Sequence, residues 1–577
     1  MNSRADLFKV IRAGSSKPED QGDFFLATLE LRSSLVRPAG SPVGRDERPY
    51  REPSALEREG FGGASSVGHP ILPFWTAAVF AVVSGPLVDA GFPDQDLWPL
   101  TLVGVACVLV ALRGRGFGAG TILGFVAGMS FFLTHIVWSA LYLGPLPWLA
   151  LSVLQSAIYS VAAGAIALAY RIIPEAWPSR VGRILVLPSV VGGLWVARED
   201  VAGSWPYGGF AWGRIAYSQS TGPFAEIVSW VGVSGLSFLL VALVAMLLQL
   251  AVGAGTRRQL RLVAAGAVIT ALALVPLWPA VAERSVRIAA VQGNGAAGYF
   301  SERQPGDLLR AQVDATLPIR GENVDLVVWP ENATDLDPLA SPEAQATIDR
   351  LSLELDAPLI LGAITQRAGL LFNSTLLWAP GSGVQDLYDK KHPVPFGEYV
   401  PNRDFWQKLA PDLIGLIQRD YEIGTRDGIL STPALTAGSV ICFDITDDRV
   451  IRSLVDDGAE VILAQSNNAD FGRTDESVQQ LAIARMRALE TGRSVVNIST
   501  VGTSAIIAPD GRTLAQLPTF TAGTMIEDVS VMRGRTPAMA IGGQLALIIA
   551  VGSAAVLGVS WLVARTSPRS TRTPHRK

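Results

Sequence analysis

Ala437-Gly438-Ser439-Val440-Ile441-Cys442-Phe443-Asp444 is a short apolar run that reaches a cysteine near its end and then turns polar. Such a run reads as a buried β-strand, and it sets Cys442 at the strand's end, where a thiol can meet a substrate. On its own the signal is weak, because free cysteines mostly act as small buried apolar fillers. Upstream, Val327-Val328-Trp329-Pro330-Glu331-Asn332 puts a carboxylate just past another strand-like run. There it can point into a cleft and accept a proton, or be an ordinary loop glutamate. Between the two, Tyr388-Asp389-Lys390-Lys391-His392-Pro393-Val394-Pro395-Phe396-Gly397-Glu398-Tyr399 supplies Lys390. A lysine can steady a developing oxyanion or lower a thiol pKa, or simply be a solvated charge.

Around these residues the runs 286–292, 324–329, 358–364, 371–378, 439–443, 461–465 and 494–499 read as strands alternating with helical patterns. Thr474 or Asp475 can cap a helix carrying Val478, Ala482, Met486 and Leu489 on one face, with Gly492 as its stop. Pro509-Asp510-Gly511 is a turn between two apolar runs. Residues 283–536 therefore form an α/β domain large enough for its own core.

The rest of the chain differs in kind. Of its 577 residues 49% are hydrophobic and 17% charged, against about 25% charged in soluble domains. Apolar stretches at 73–90, 98–112, 118–142, 146–170, 184–197, 225–252 and 262–281 precede the domain, and 539–563 follows it. Several reach the ~20 residues that span a bilayer; 184–197 is the weakest, being short and interrupted by Pro188. The expected order is a polar cytoplasmic extension (1–70) without a cleavable signal peptide, a seven-span region (71–282), the domain (283–536), an eighth helix (537–564) and a basic tail (565–577). Arg113 and Arg115, Arg171, Arg180 and Arg183, and Arg257, Arg258 and Arg261 fall in alternate loops. By the positive-inside rule this puts both termini in the cytoplasm and the domain outside. Residues 400–417 are unusually apolar for a loop region and form either an arm dipping toward lipid or a helix packed on the domain core.

Several classes are excluded. The net charge of −4 gives no field for nucleic acid. Two cysteines, one of them Cys107 in an apolar stretch, exclude a disulfide framework, and four scattered histidines show no metal-ligand spacing. Transport does not explain the chemistry-bearing residues, and the spans hold little charge to mark a path.

In this order, W-P-E, Y-x-K-x-H followed by P-F-G-E, and C-F-D resemble the nitrilase superfamily. The resemblance implies a four-layer α-β-β-α sandwich with Glu331 as general base, Lys390 as oxyanion stabiliser, Cys442 as nucleophile and Glu398 assisting. Inserted between seven spans and an eighth, such a domain is similar to the apolipoprotein N-acyltransferases. Val291-Gln292-Gly293-Asn294, Val394 to Pro401, and Ala484-Arg485-Met486-Arg487-Ala488-Leu489-Glu490 support that likeness. It implies a bacterial inner-membrane enzyme. A phospholipid is the acyl donor, a diacylated apolipoprotein the acceptor, a Cys442 thioester the intermediate, and no metal or organic cofactor is used. Asp444 stands where Glu is common in that family, and Asp470 where Trp is. Two other readings stay open: a membrane-tethered amidase or nitrilase-type hydrolase, and a scaffold for a membrane glycosyltransferase.

Overall fold

The computed structural model describes residues 70–252 and 258–566. Residues 1–69 of the expected extension, Arg257 of the basic cluster and the tail from residue 567 lie outside the described residues. Among the described residues, seven helices of several turns precede the sandwich: α1 (Phe74–Asp89), α2 (Trp98–Leu112), α3 (Phe117–His135), α4 (Pro145–Ala176), α5 (Leu187–Ala202), α6 (Val228–Val252) and α7 (Arg258–Ala273). A long helix, Pro537–Thr566, follows it. Four helices among the described residues are long and apolar enough to cross a membrane: α3, α4, α6 with its leading turn, and Pro537–Thr566. The helices α1, α2 and α7 are shorter but apolar.

Small residues let α3 and α4 approach closely. A Cβ on Gly128 would lie 2.9 Å from the Ser156 Cα, and one on Gly124 2.2 Å from the Ala163 Cβ.

Two helices depart from the sequence expectation. The stretch expected at 184–197 is longer, because a π-helical turn at Gly182–Val186 runs straight into α5. The wider turn relieves the clash that a proline ring makes with the carbonyl four residues back, so Pro188 does not break the helix. Beyond 197 the helix keeps Glu199 buried by pairing it with Arg198 at 3.4 Å and with the Trp195 Nε1–H at 2.9 Å. The stretch expected at 118–142 is instead cut at His135. A 3₁₀ turn (Val137–Ser139) and a one-turn helix (Ala140–Leu143) follow. Trp138 and Tyr142 are drawn out of the helical path to donate to Gln479 Oε1 (3.1 Å) and the Gly397 carbonyl (2.9 Å).

The sandwich holds two six-stranded sheets. The first has the order β12-β1-β2-β3-β4-β5, with β1 (Ala282–Gln292), β2 (Leu326–Val328), β3 (Leu359–Arg367), β4 (Leu370–Ala379), β5 (Gly383–Asp389) and β12 (Gly523–Met532). The second runs β11-β10-β9-β8-β7-β6, with β6 (Ile429–Ser431), β7 (Thr436–Ile441), β8 (Val461–Ser466), β9 (Ser494–Ser499), β10 (Ser504–Ile507) and β11 (Thr513–Leu517). Val328, Ile360, Leu463 and Val496 share the core between the sheets. Helices Asp307–Thr316 and Pro342–Leu355 cover the first sheet, through a core that includes Leu309, Ile348 and Leu351. Helices Asp448–Asp456 and Glu476–Thr491 lie beside the second, and their buried face merges with the core of the helical bundle. The α-β-β-α layering is the one implied by the sequence. Asp475 precedes the last of these helices but makes no side-chain capping bond, and Gly492 ends it at φ +65°.

Buried polar groups fix the sandwich to the bundle. Arg487 is fully buried and reaches Asp448 (2.7 Å), Glu490 (2.5 Å) and the carbonyls of Ile445 and Thr446. Arg214, from the loop after α5, holds the other oxygen of Asp448 at 2.7 Å, and Glu490 accepts from the Val233 N–H of α6 at 3.0 Å. Although burial works against ionisation, Arg214 and Arg487 hold the Asp448 carboxyl down at about 2. Arg487→Met removes one partner of this buried set and should cost about 3–5 kcal/mol. Thermal unfolding of the full chain in detergent, followed by tryptophan fluorescence, should show a lowered midpoint, with Arg487→Lys losing less.

Candidate active site

The backbone leaves β7 through an unusual turn. Cys442 adopts φ +52°, a left-handed conformation that costs a non-glycine residue about 1–3 kcal/mol, and then enters a single 3₁₀ stretch, Cys442–Thr446. Asp444 holds this turn in place. Its carboxylate accepts from the Tyr388 hydroxyl at 2.8 Å and the His392 N–H at 2.9 Å. The side chain commonly one methylene longer in the resembled family is therefore a clip here, tying the cysteine turn to the segment that carries Lys390. Burial raises the Asp444 pKa, with Lys390, His392 and these hydrogen bonds pulling it back.

Lys390 follows the end of β5, its N–H bonded to the Asn373 carbonyl at 2.9 Å. The side chain is 1% exposed, and Nζ lies 2.8 Å from Glu398 Oε2 and 3.4 Å from Glu331 Oε1. Burial opposes the ammonium, but Glu398 and Glu331 outweigh it and raise the Lys390 pKa well above the ordinary lysine value. Asn373, in the middle of β4, donates from Nδ2 to both Glu331 Oε1 (2.7 Å) and Glu398 Oε1 (2.8 Å). The other oxygen of Glu398 accepts from the Val394 N–H at 2.7 Å. Glu331 leaves β2 over Gly362, where an added Cβ would come within 2.6 Å of the Glu331 Cα, so only glycine lets the loop sit this low on the sheet. Burial pushes the Glu331 carboxyl above its ordinary range, while Lys390 pulls it back. The Cys442 thiol is raised well above its ordinary value by burial and then by Glu331, Lys390 acting the other way. At neutral pH the resting cysteine is a thiol.

All four residues singled out from sequence, Glu331, Lys390, Glu398 and Cys442, line one cavity of about 960 Å³. Its far wall is apolar and shared with the bundle, including Leu151 and Leu154 of α4 and Phe210. The apolar segment at 400–417 folds as two short helices, Arg403–Leu409 and Pro411–Ile414. Ile414 and Ile417 pack with Val400 in a small cluster of their own, apart from the sandwich cores. Phe405 is 60% exposed, and Leu409, 66% exposed, lines the cavity with Ile414 and Ile417. Among the described residues no cluster of His, Cys, Asp or Glu suits a metal ion.

Sequence reasoning missed Asn373, Gln480, Asn468 and Glu476. Gln480 Nε2 approaches Cys442 Sγ at 3.8 Å, and Asn468 Nδ2 joins Gln480 Oε1 (2.9 Å) to Glu476 Oε2 (2.7 Å). These residues sit within ordinary strand, loop and helix patterns that carry no spacing signal.

Comparison with known proteins identifies the family of both parts of the chain. A family model described as the apolipoprotein N-acyltransferase N-terminal domain matches residues 84–247, and one described as carbon-nitrogen hydrolase matches 287–537. An apolipoprotein N-acyltransferase from Azotobacter vinelandii is 30% identical, aligned over 81% of this chain and 91% of its own length. The chain belongs to the apolipoprotein N-acyltransferase family. A family member from Mycolicibacterium smegmatis is 28% identical over 93% of this chain and 94% of its own. An amidase from Nesterenkonia sp. aligns over 44% of this chain and 93% of its own, with 16% identity and a TM-score of 0.33. In this acyltransferase, Asp470 stands at the cavity wall, accepts from the Tyr299 N–H at 2.7 Å, and is drawn down electrostatically by Arg419 and Arg303 although burial raises it overall.

Asn373→Ala strips one donor from two carboxylates at once. A hydrogen bond to a charged group is worth about 1.5–3 kcal/mol, so the rate of acyl transfer, read by the mass of a diacylated lipoprotein peptide, should fall about ten- to a hundredfold.

Proposed function

We propose that this chain moves a fatty acyl group from a membrane phospholipid, through a thioester on Cys442, to the α-amine of the N-terminal diacylglyceryl-cysteine of lipoproteins. One observation carries the reading: a thiol and a carboxylate–ammonium cluster face a single large cavity whose apolar wall belongs partly to the helical bundle, in a chain of this family.

The chemistry follows from the protonation states. The Cys442 thiol is too weakly acidic to ionise unaided, so a base must take its proton as it attacks. Glu331, close to its ammonium partner Lys390, is the base. Its raised pKa brings it nearer the working pH, which suits proton transfer in both directions. As the thiolate adds to the donor ester carbonyl, negative charge develops on oxygen. The buried ammonium of Lys390 stabilises it more effectively than a solvated one. Glu398, bonded to Lys390 and Asn373, keeps that ammonium charged and aimed. Collapse expels lysophospholipid with the proton that Glu331 took, leaving the thioester. The acceptor amine then attacks, giving an amide and returning the thiol.

We assign residues 283–536 to the extracytoplasmic face and read the eight helices as spans with both termini cytoplasmic, in a bacterial inner membrane. The alternating arginine-rich loops support this orientation. Both substrates are lipid-anchored, and withdrawing a chain into water costs roughly 0.8 kcal/mol per CH₂; a cavity walled by bundle helices avoids that cost. A hydrolase would direct water to the same thioester, but the apolar wall favours a long acyl chain over a small amide as occupant. A glycosyltransferase partner gains no support from the fold or the relatives.

The test is the mass of a diacylated lipoprotein peptide incubated with phospholipid and either wild-type protein or Cys442→Ala. Wild type should add one acyl chain and the variant none; release of free acid in place of transfer would favour hydrolysis, and equal transfer by both would remove Cys442 from the mechanism. Because Glu331 must be ionised to act, loading should decline as pH falls, with its midpoint above about 4.3, the ordinary glutamate value. A pH series of the loading rate reads that limb.

A further inference from the structure

Glu476 is a buried carboxyl that the loading chemistry does not use. It opens the helix Glu476–Thr491, is 2% exposed, and lines the same cavity as Cys442. Its Oε2 accepts from Asn468 Nδ2 at 2.7 Å; Oε1 has no hydrogen-bond partner among the described residues. Asn468 is itself held by the hydroxyls of Ser466 and Ser499. Through Gln480, one turn further along the same helix, the chain of contacts ends at Cys442 Sγ. Glu476 and the nucleophile are thus two ends of one polar chain, and one carboxyl oxygen is left for a ligand.

We propose that Glu476 receives the α-ammonium of the acceptor lipoprotein and takes the proton it must lose before it can attack the thioester. The proposal rests on the acyl-transfer reading of the site.

The acceptor presents the need for such a group. An α-amine has a pKa of about 7.7–8.0, so near neutrality much of it arrives as an ammonium with no lone pair to attack. Placing a cation in a largely apolar cavity is costly without a partner. Glu398 has both oxygens engaged, by Asn373, Lys390 and the Val394 N–H, and Glu331, held by Lys390 and Asn373 on Oε1, is reserved as the base that serves sulfur. Asp470 and Asp335 also line the cavity, but their carboxylates accept from the N–H groups of Tyr299 and Gly306, and neither is linked to the cysteine. Among the described residues, Glu476 combines an uncommitted oxygen with a hydrogen-bonded path to Sγ.

Its proton affinity fits the task. Burial raises the Glu476 carboxyl to about 8, with Glu331 adding to the rise and Asn468 opposing it. That matches an α-amine, so the proton moves between them with little free-energy change. A carboxylate near 4.3 would instead hold the amine as an inert ammonium.

The step balances. As the ammonium enters, the Glu476 carboxyl gives its proton to solvent; the resulting carboxylate takes one proton from R–NH₃⁺, and the freed lone pair forms the C–N bond at the thioester carbon. On collapse the C–S bond breaks and sulfur leaves with the electron pair. Glu331 removes the second amine proton and passes it to sulfur. Glu476 ends protonated, as it began, so amide, thiol and the one proton given to solvent are the products.

The experiment uses the full-length protein in phospholipid vesicles and reads the two half-reactions separately, by mass of the protein and of a diacylated peptide. Glu476→Gln should load Cys442 at the wild-type rate, accumulate the thioester, and acylate the peptide about a hundredfold more slowly, within the range of general-base effects. Hydroxylamine, uncharged at neutral pH, should discharge the thioester of both proteins equally, and Glu476→Asp should recover part of the transfer. Wild-type transfer by Glu476→Gln overturns the proposal. So does loss of loading together with transfer in both variants, which would make Glu476 structural. If wild type itself loads no acyl group, the acyl-transfer reading fails instead, independently of Glu476.

Discussion

The buried charge set around Arg487 is the interaction on which the rest of the architecture depends. It lies on the helix Glu476–Thr491, whose early residues Glu476 and Gln480 lie by Cys442 and whose later residues Arg487 and Glu490 lock onto Asp448 and α6. A guanidinium with no exposed surface is tolerable only when nearly every donor is used, and here carboxylates and backbone carbonyls use them. The demand for geometry at one end of the helix therefore fixes the other. Gln479 extends the same seam, accepting from Trp138 and Trp212 of the bundle. Docking and active-site placement are one packing problem.

Within the cavity, electrostatics is arranged around a single ammonium. Lys390 has two carboxylates within ion-pair distance, so the cluster of Lys390, Glu331 and Glu398 carries a net negative charge when both acids are ionised. That excess, together with burial, is why the nearby thiol keeps its proton. On the proposed chemistry, the arrangement trades a permanently reactive thiolate for one formed only during attack. A thiol held that way is protected from stray oxidants and electrophiles, whose target is the thiolate.

Much of this was legible in the sequence, for a local reason. Glu331 and Cys442 each sit just past the end of an apolar strand, so a run of apolar residues leading to one reactive side chain announces them; Lys390 follows the strand Gly383–Asp389, whose Gln385, Asp386 and Asp389 hide it from such a reading. Their convergence was legible only through family resemblance, because nothing in spacing brings residues 331, 390 and 442 to one point. Asn373 was invisible: it lies mid-strand among Leu371, Phe372 and Ser374, and its value comes from the two carboxylates that fold against it. Pro188 was misleading, since hydropathy cannot foresee that a π turn absorbs a proline. The end of α3 at His135 was misread for a related reason. Val137 to Leu143 is apolar enough to continue a span, but hydrogen bonds to the sandwich win over helical continuity.

That early end of α3 sets what kind of supply the site answers to. With Trp138 and Tyr142 turned toward the sandwich, α4 lines the cavity, and on the proposed reading its occupants come from the leaflet instead of from bulk water. The quantity that governs encounter is then surface density, not molarity. Phospholipid is the solvent of that two-dimensional world and lipoprotein a trace solute. On the chemistry proposed, the protein at rest carries its acyl group already, and its throughput follows the arrival of new acceptors rather than the abundance of donors.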